Sequence, residues 1–194
     1  MPADSPPFSP AGLLPEELAE RLSLTPAFRG TQLFEWVHLQ GASSFEEMSN
    51  LSKDLRARLA DQLGSPLSSR ISSEQIDEDG TAKLGITLAD GAVVESVLLR
   101  DEHERQTACL SSQVGCAMGC TFCRTGAMGL VRNLSGGEIA EQFLHLRRRF
   151  GELDNIVFMG MGEPLANLQA LRRSVSIFTH PKGLGMSPRR ITVS

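Results

Sequence analysis

Leucines at 51, 55, 59 and 63 recur every four residues and make one apolar stripe, which predicts a helix ended by Gly64 and Pro66. Upstream, residues 13–24 carry helical spacing with Pro15 and Glu16 placed for a helix start, and residues 26–40 predict a second helix closed by Gly41. Ser44-Phe45-Glu46-Glu47 has the form of a capping box and predicts a short helix between these two and the leucine stripe. Residues 11–66 therefore read as a small helical domain, after a leader over residues 1–10 whose prolines predict disorder.

The period then changes. Over residues 67–106, Asp79-Gly80 and Asp90-Gly91 separate segments rich in Ile, Val, Leu and Thr, which predicts a three-stranded antiparallel meander. Alternation in Ala92-Val93-Val94-Glu95-Ser96-Val97-Leu98-Leu99 puts Val93, Glu95 and Val97 on one face, and pattern alone makes Glu95 a solvated strand carboxylate. From Thr107 the rhythm becomes β-α-β-α-β. A strand over 107–113 precedes a cysteine-rich loop, and Ser135-Gly136-Gly137-Glu138 caps a helix running to Phe150. Asn155–Met159 reads as a buried strand, residues 165–179 as a helix, and Arg190–Ser194 as the start of a third strand. Such alternation predicts an α/β fold with a parallel sheet, whose ligands collect at the carboxyl ends of the strands. The cysteine loop, the Gly160-Met161-Gly162-Glu163-Pro164 turn and Ser194 all fall at such ends. A sheet with a strand just begun would leave an open edge, so the chain is expected to be the N-terminal part of a longer one.

Charge divides along the same line. Residues 1–106 hold 18 acids and 9 bases, whereas residues 107–194 hold 5 acids and 10 bases. The basic half could meet a polyanion such as RNA, although Arg147, Arg148 and Arg149 suit the negative end of a helix equally well. No apolar run approaches the roughly 20 residues that span a bilayer, and the N-terminus lacks a basic n-region. With three of the four cysteines in one loop, the expected compartment is a reducing cytoplasm.

Those three, Cys116, Cys120 and Cys123, are spaced C-x3-C-x2-C. Thiolates at such spacing hold zinc or an iron–sulfur cluster. A structural zinc needs a fourth ligand, for which Cys109, His103 or His145 are available; three ligands on a four-iron cluster leave one iron open. An open iron can chelate the amine and carboxylate of a methionine-derived ligand. Glycines at 160 and 162 would admit that ligand, Glu163 could accept from its ammonium, and Phe122 could cover one face.

The cysteine motif with Phe122, followed after the next strand by Gly162-Glu163-Pro164, resembles the radical S-adenosylmethionine superfamily. Cys109–Cys116, Arg132-Asn133-Leu134 and Met159–Leu165 resemble the bacterial adenine-C2 methyltransferases of 23S ribosomal RNA and transfer RNA. Residues 28–36 and Asn50-Leu51-Ser52-Lys53 are similar to that family's N-terminal helical domain. The resemblance implies that residues 107–194 hold the first three strands of a partial (β/α) barrel. It implies a [4Fe–4S] cluster on Cys116, Cys120 and Cys123, and S-adenosylmethionine against Gly162, Glu163 and Ser194. It implies that Cys109 forms a transient disulfide with a methyl-carrying cysteine and that Glu95 abstracts a proton. In the family a deoxyadenosyl radical takes a hydrogen from the S-methyl group, and the carbon adds to C2 of adenine. The implied partners are 23S rRNA, tRNA and an electron donor such as flavodoxin, with no membrane. All four cysteines are thereby assigned, so the methyl-carrying one is expected beyond residue 194 and this chain alone is expected to be inactive. Sister enzymes that methylate adenine C8 share the loop, and a zinc-binding RNA module without catalysis is the alternative of another class.

Overall fold

Pro15–Arg21 (α1) and Phe28–His38 (α2) pack so closely that a Cβ on Gly30 would collide with the Pro15 carbonyl. The computed structural model describes residues 8–194. Residues 1–7 of the expected leader lie outside the described residues; residues 8–10, read from sequence as part of it, are packed. Ser9 caps a 3-10 turn at Pro10–Gly12 and bonds the Glu141 carboxylate. Ser44–Glu47 forms no helix, because Glu47 folds back onto the Ser43 amide and hydroxyl. The leucine-stripe helix is Lys53–Leu63 (α3), begun by Ser52, whose hydroxyl accepts the Leu55 N–H at 3.3 Å.

Arg70–Ile76 (β1), Ala82–Thr87 (β2) and Val93–Arg100 (β3) form the antiparallel meander, with positive φ at Gly80 and Gly91 in its two turns. The meander does not stand apart. β3 pairs with Gln106–Cys109 (β4), which runs parallel to a strand at Asn155–Phe158, itself parallel to a strand at Ile191–Val193. One mixed sheet of six strands results. The strand read over 107–113 is divided: β4 ends at Cys109, and Gln113–Gly115 (β5) leaves the sheet to pair with Leu130–Asn133 (β6). Within the cysteine loop, Arg124–Ala127 is a single helical turn (α4). The remaining elements are Gly136–Phe150 (α5), Asn155–Phe158 (β7), Leu168–Phe178 (α6) and Ile191–Val193 (β8).

α5 has more than the one apolar face its spacing predicts. Every residue from Gly136 to Leu146 is buried, because the sheet lies on one side and the N-terminal segment on the other. Phe143 packs against Phe178 of α6 with the rings tilted at 49°, while a Cβ on Gly12 would sit 2.9 Å from Gly137 Cα. The buried Glu141 carboxylate accepts from the amides of Ser68 and Ser69, both at 2.8 Å, and from the hydroxyls of Ser9, Ser68 and Ser69. The linker after α3 is thereby fastened to α5.

At the other end of α5 the arginines are structural. Arg147 donates to the carbonyls of His38 and Leu39 at 2.8 and 3.0 Å, and Arg148 to those of Gly41 and Ala42, the carbonyls that follow α2. Arg149 forms a bidentate pair with Glu74 of β1. With Arg132 and Arg173, which pair with Glu138 and Glu17, five of the ten bases in the basic half have partners within the chain, which weakens any argument for RNA from charge alone.

His38 lies fully buried between α2 and the segment after α6, its ring 4.3 Å from that of Phe34. Neither ring nitrogen has a partner, and burial depresses its pKa to about 3, with the charge of His180 adding to the effect. The unfolded chain takes up this proton below about pH 6.5, whereas the folded chain refuses it until about 3. Stability contributed here is therefore complete above 6.5 and is lost as pH falls toward 3, by as much as about 5 kcal/mol. His38→Leu is expected to flatten that acid limb in urea unfolding measured from pH 7 to 4. Parallel pH curves for the two proteins would contradict this.

Candidate functional site

Every strand of the parallel set ends at the same edge, and the chain uses each end differently. β4 delivers Cys109 and then Leu110-Ser111-Ser112, which lead into β5; β7 delivers the Gly160–Pro164 turn; β8 delivers Ser194. Phe158 and Val193 are paired in register, which sets Ser194 beside the start of the turn.

The cysteine loop is an excursion between β5 and β6, closed at its neck by glycine. Gly115 has φ +77°, and a Cβ there would collide with the Gly129 carbonyl, which accepts the Cys116 N–H at 2.9 Å. Arg132 in β6 fastens the outgoing strand, donating to Asp90 in the β2–β3 turn at 2.8 Å and to both oxygens of buried Glu138 at 3.0 and 2.7 Å. Glu138 also accepts from the Ser135 amide, so the predicted capping box at the start of α5 forms and holds the loop's exit as well.

The turn after β7 is joined to the root of this loop. The Met161 carbonyl accepts the amides of Ser112 at 2.8 Å and Gln113 at 3.2 Å, and the Glu163 amide donates to Gln113 Oε1 at 2.9 Å. Ser111 Oγ donates to the Glu95 carbonyl at 2.6 Å and accepts the Met161 amide at 2.9 Å. Behind them, Gln142 of α5 receives Ser96 Oγ and the Ser111 amide, and Asn167 Nδ2 reaches the carbonyls of Ser112 and Leu134. Buried Ser111, Ser112, Gln113, Gln142 and Asn167 were not singled out from sequence. Ser111, Ser112 and Gln113 lie in the stretch that carries the family resemblance, within a segment read as strand, whereas Gln142 and Asn167 have no local signal.

Glu95 and Cys109 come to one face of the sheet. Cys109 is paired with Val97, two residues from Glu95, and burial alternates along β3 as the pattern predicts. Glu95 is solvated, half-exposed, with Lys83 Nζ 3.1 Å from its carboxylate, a surface pair of little energetic weight. Cys109 is buried, and desolvation pushes its thiol above the ordinary range. All four cysteines are free thiols.

Of the cluster candidates, Cys116 is buried, Cys123 half-buried and Cys120 exposed. Cys116 and Cys123 sulfurs accept the amides of Met118 and Gly126, both at 3.5 Å, and Cys123 opens α4 as its cap. Among the described residues no three His, Cys, Asp or Glu side chains converge as a site for one metal ion. Three thiols on one loop, two of them with sulfurs approached by backbone amides, are the residues that would hold either a four-iron cluster or, with a fourth ligand, a zinc ion. His145 sits 3.0 Å from Ser69 Oγ, across α5.

The edge is open. A groove of about 500 Å³ lies between α1 and α2 and holds none of these residues. Met118, Phe122, Met128, Val131, Met159 and Leu165 are all exposed around the loop and turn, Phe122 at 92%. A side chain that exposed contributes nothing to the core and is available to a ligand. No helix among the described residues is long and apolar enough to cross a membrane.

Residues 22–63 match the profile of the ribosomal RNA large subunit methyltransferase N-terminal domain. The chain is 52% identical over 184 residues to a Treponema pallidum protein named "Probable dual-specificity RNA methyltransferase RlmN", with 95% of this chain and 54% of that protein covered. It is 48% identical over 180 residues to the dual-specificity RNA methyltransferase RlmN of Nitratidesulfovibrio vulgaris, covering 87% of this chain and 49% of that one. The crystal structure of a radical SAM methyltransferase from Sphaerobacter thermophilus superposes with a TM-score of 0.89 at 42% identity, over 96% of this chain and 56% of that one. The chain spans about half the length of these relatives. Over that span the chain is similar to the RlmN proteins and shares the fold of a radical SAM methyltransferase.

Proposed function

We propose that this stretch is the cluster- and cofactor-binding part of an RNA methyltransferase that acts on C2 of adenine in 23S ribosomal RNA and transfer RNA. The observation that carries the reading is the shared hydrogen bonding of the cysteine loop and the Gly-Met-Gly-Glu-Pro turn at one edge of the sheet. Cys116, Cys120 and Cys123 would hold a [4Fe–4S] cluster, and its open iron would supply the electron for reductive cleavage of S-adenosylmethionine. Gly162 keeps the turn bare of side chain, Glu163 accepts from the ligand's ammonium, and Ser194 offers a hydroxyl from the neighbouring strand end. The exposed apolar rim around the loop would exclude water once substrate covers it.

Cys109 and Glu95 take the remaining steps on the shared face. Cys109, as the thiolate, would bond to the sulfur of the methyl-carrying cysteine while that sulfur's bond to the transferred carbon breaks, the bonding pair going to the carbon, which takes up a proton to complete the methyl group. Glu95 accepts the proton lost from the adenine ring. The parallel strands then read as the first part of a (β/α) barrel over residues 107–194, after a helical unit at 11–66 and a meander at 67–106. In this reading methyl transfer needs a further cysteine besides these four, and an electron donor such as flavodoxin in the cytoplasm.

The test is equilibrium binding of S-adenosylmethionine to the anaerobically reconstituted chain. Binding is expected only when the cluster is loaded, and Glu163→Gln is expected to weaken it about tenfold, as for a lost charge-assisted hydrogen bond. Equal binding with and without iron would overturn the assignment. In a protein that contains the whole reaction, nucleoside analysis of the RNA separates C2 from C8 methylation.

A further inference from the structure

We propose that Gln113 is the positioning residue that sets the Glu163 turn against the cysteine loop, so that one carboxamide governs the register between cofactor turn and cluster; this rests on the site reading above. Gln113 is 1% exposed and is the first residue of β5, the strand that leads into the loop. Its Oε1 accepts the Glu163 N–H at 2.9 Å, and its Nε2 donates to Asn133 Oδ1 at 2.7 Å. Asn133 is its register partner in β6, the strand that leaves the loop. Its own amide donates to the Met161 carbonyl at 3.2 Å. Loop entry, loop exit and cofactor turn therefore meet on one side chain.

The fit leaves no slack. Gly162 has φ +96°, and a Cβ there would lie 2.5 Å from Gln113 Cβ and 2.8 Å from its backbone nitrogen. The turn can approach this closely only with glycine at 162, and the approach brings the next amide, that of Glu163, onto Oε1. A carboxamide offers one acceptor and one donor in a single rigid plane, which matches an amide N–H on one side and a side-chain oxygen on the other. A carboxylate would place a second negative charge beside Glu163, and a hydrocarbon would leave the Glu163 amide unpaired. Because the plane is rigid, displacement of the turn is passed to the exit strand of the loop.

The test compares the unsubstituted chain with Gln113→Leu, which keeps the volume and removes both bonds. In the metal-free chain, hydrogen exchange at the Glu163 amide is expected to accelerate about tenfold or more. In the reconstituted chain, the dissociation constant for S-adenosylmethionine, read per loaded cluster, is expected to rise at least about tenfold. Adding Glu163→Gln to Gln113→Leu is expected to cost little more, since both act through one turn. Unchanged Glu163 exchange, or losses that multiply in the double variant, overturns the proposal while leaving the site reading standing. Absence of S-adenosylmethionine binding by the unsubstituted loaded chain overturns both. Should Gln113→Leu not fold, the exposed Asn133→Ala frees one side of the carboxamide, and unaltered Glu163 exchange there contradicts the proposal equally.

Discussion

Cys120→Ala is expected to reduce the iron and sulfide taken up by the anaerobically reconstituted chain from about four of each to near none. The reason is economy of ligands. Three thiolates leave one iron of a four-iron cluster open, so the loss of one removes a third of the protein's grip on the cluster. Cys120 also has no part in the fold: it is exposed, so its loss is expected to move the unfolding free energy by no more than about 0.5 kcal/mol. The control is Cys109→Ala. Cys109 is buried in β4, in register with Val97 and Val157, and lies outside the loop, so that variant is expected to keep its iron. Full cluster uptake by Cys120→Ala, measured by iron and sulfide content with the visible absorption, would contradict the ligand assignment.

Gly115→Ala is expected to open the loop at its neck. A side chain at φ +77° costs about 1–3 kcal/mol in backbone strain alone. The new Cβ would also strike the Gly129 carbonyl, so the bond from the Cys116 amide to that oxygen cannot survive in place. The six-stranded sheet and the helices do not depend on that neck, since β5 and β6 form their own two-stranded ladder. Far-ultraviolet circular dichroism is therefore expected to change little. The Cys116 amide is expected to exchange at least about tenfold faster, and iron uptake to fall below half. A variant with native exchange at Cys116 would show that the glycine neck does not hold the loop.

Features that depend on neighbours in sequence were legible before the fold was known. The capping box at Ser135 and Glu138 forms, the Asp-Gly pairs sit in the meander's turns, and Leu55 and Leu59 of the leucine stripe are buried on α3, although Leu51 precedes its cap. The same pattern at Ser44–Glu47 misled, because a closer partner, Ser43, takes the carboxylate and no helix follows. The division of the strand at 107–113 was illegible for a different reason. Ser111 and Gln113 leave the sheet to bond Gln142, Met161, Asn133 and Glu163, residues 20 to 50 positions away. Arg147, Arg148 and Arg149 read in sequence as an RNA-facing patch or a basic helix end alike, and only the fold supplies Glu74 and the carbonyls at the end of α2 and just after it that engage them.

The candidate site divides the same way. The three cysteines and the Gly162-Glu163 pair announce themselves by spacing and composition. What joins them does not, because Gln113, Asn133 and Asn167 act through hydrogen bonds across the fold. The joining residues matter more to the functional reading than the motifs alone, since a cysteine loop without an adjoining ligand turn suits zinc as readily as iron.

The central claim is that this loop holds an iron–sulfur cluster with one iron left open. Its most direct test is metal analysis of the unsubstituted 194-residue chain after anaerobic incubation with iron, sulfide and an equal amount of zinc. About four irons and four sulfides per chain, with no retained zinc, is the predicted result. Zinc bound at one per chain without sulfide would contradict it.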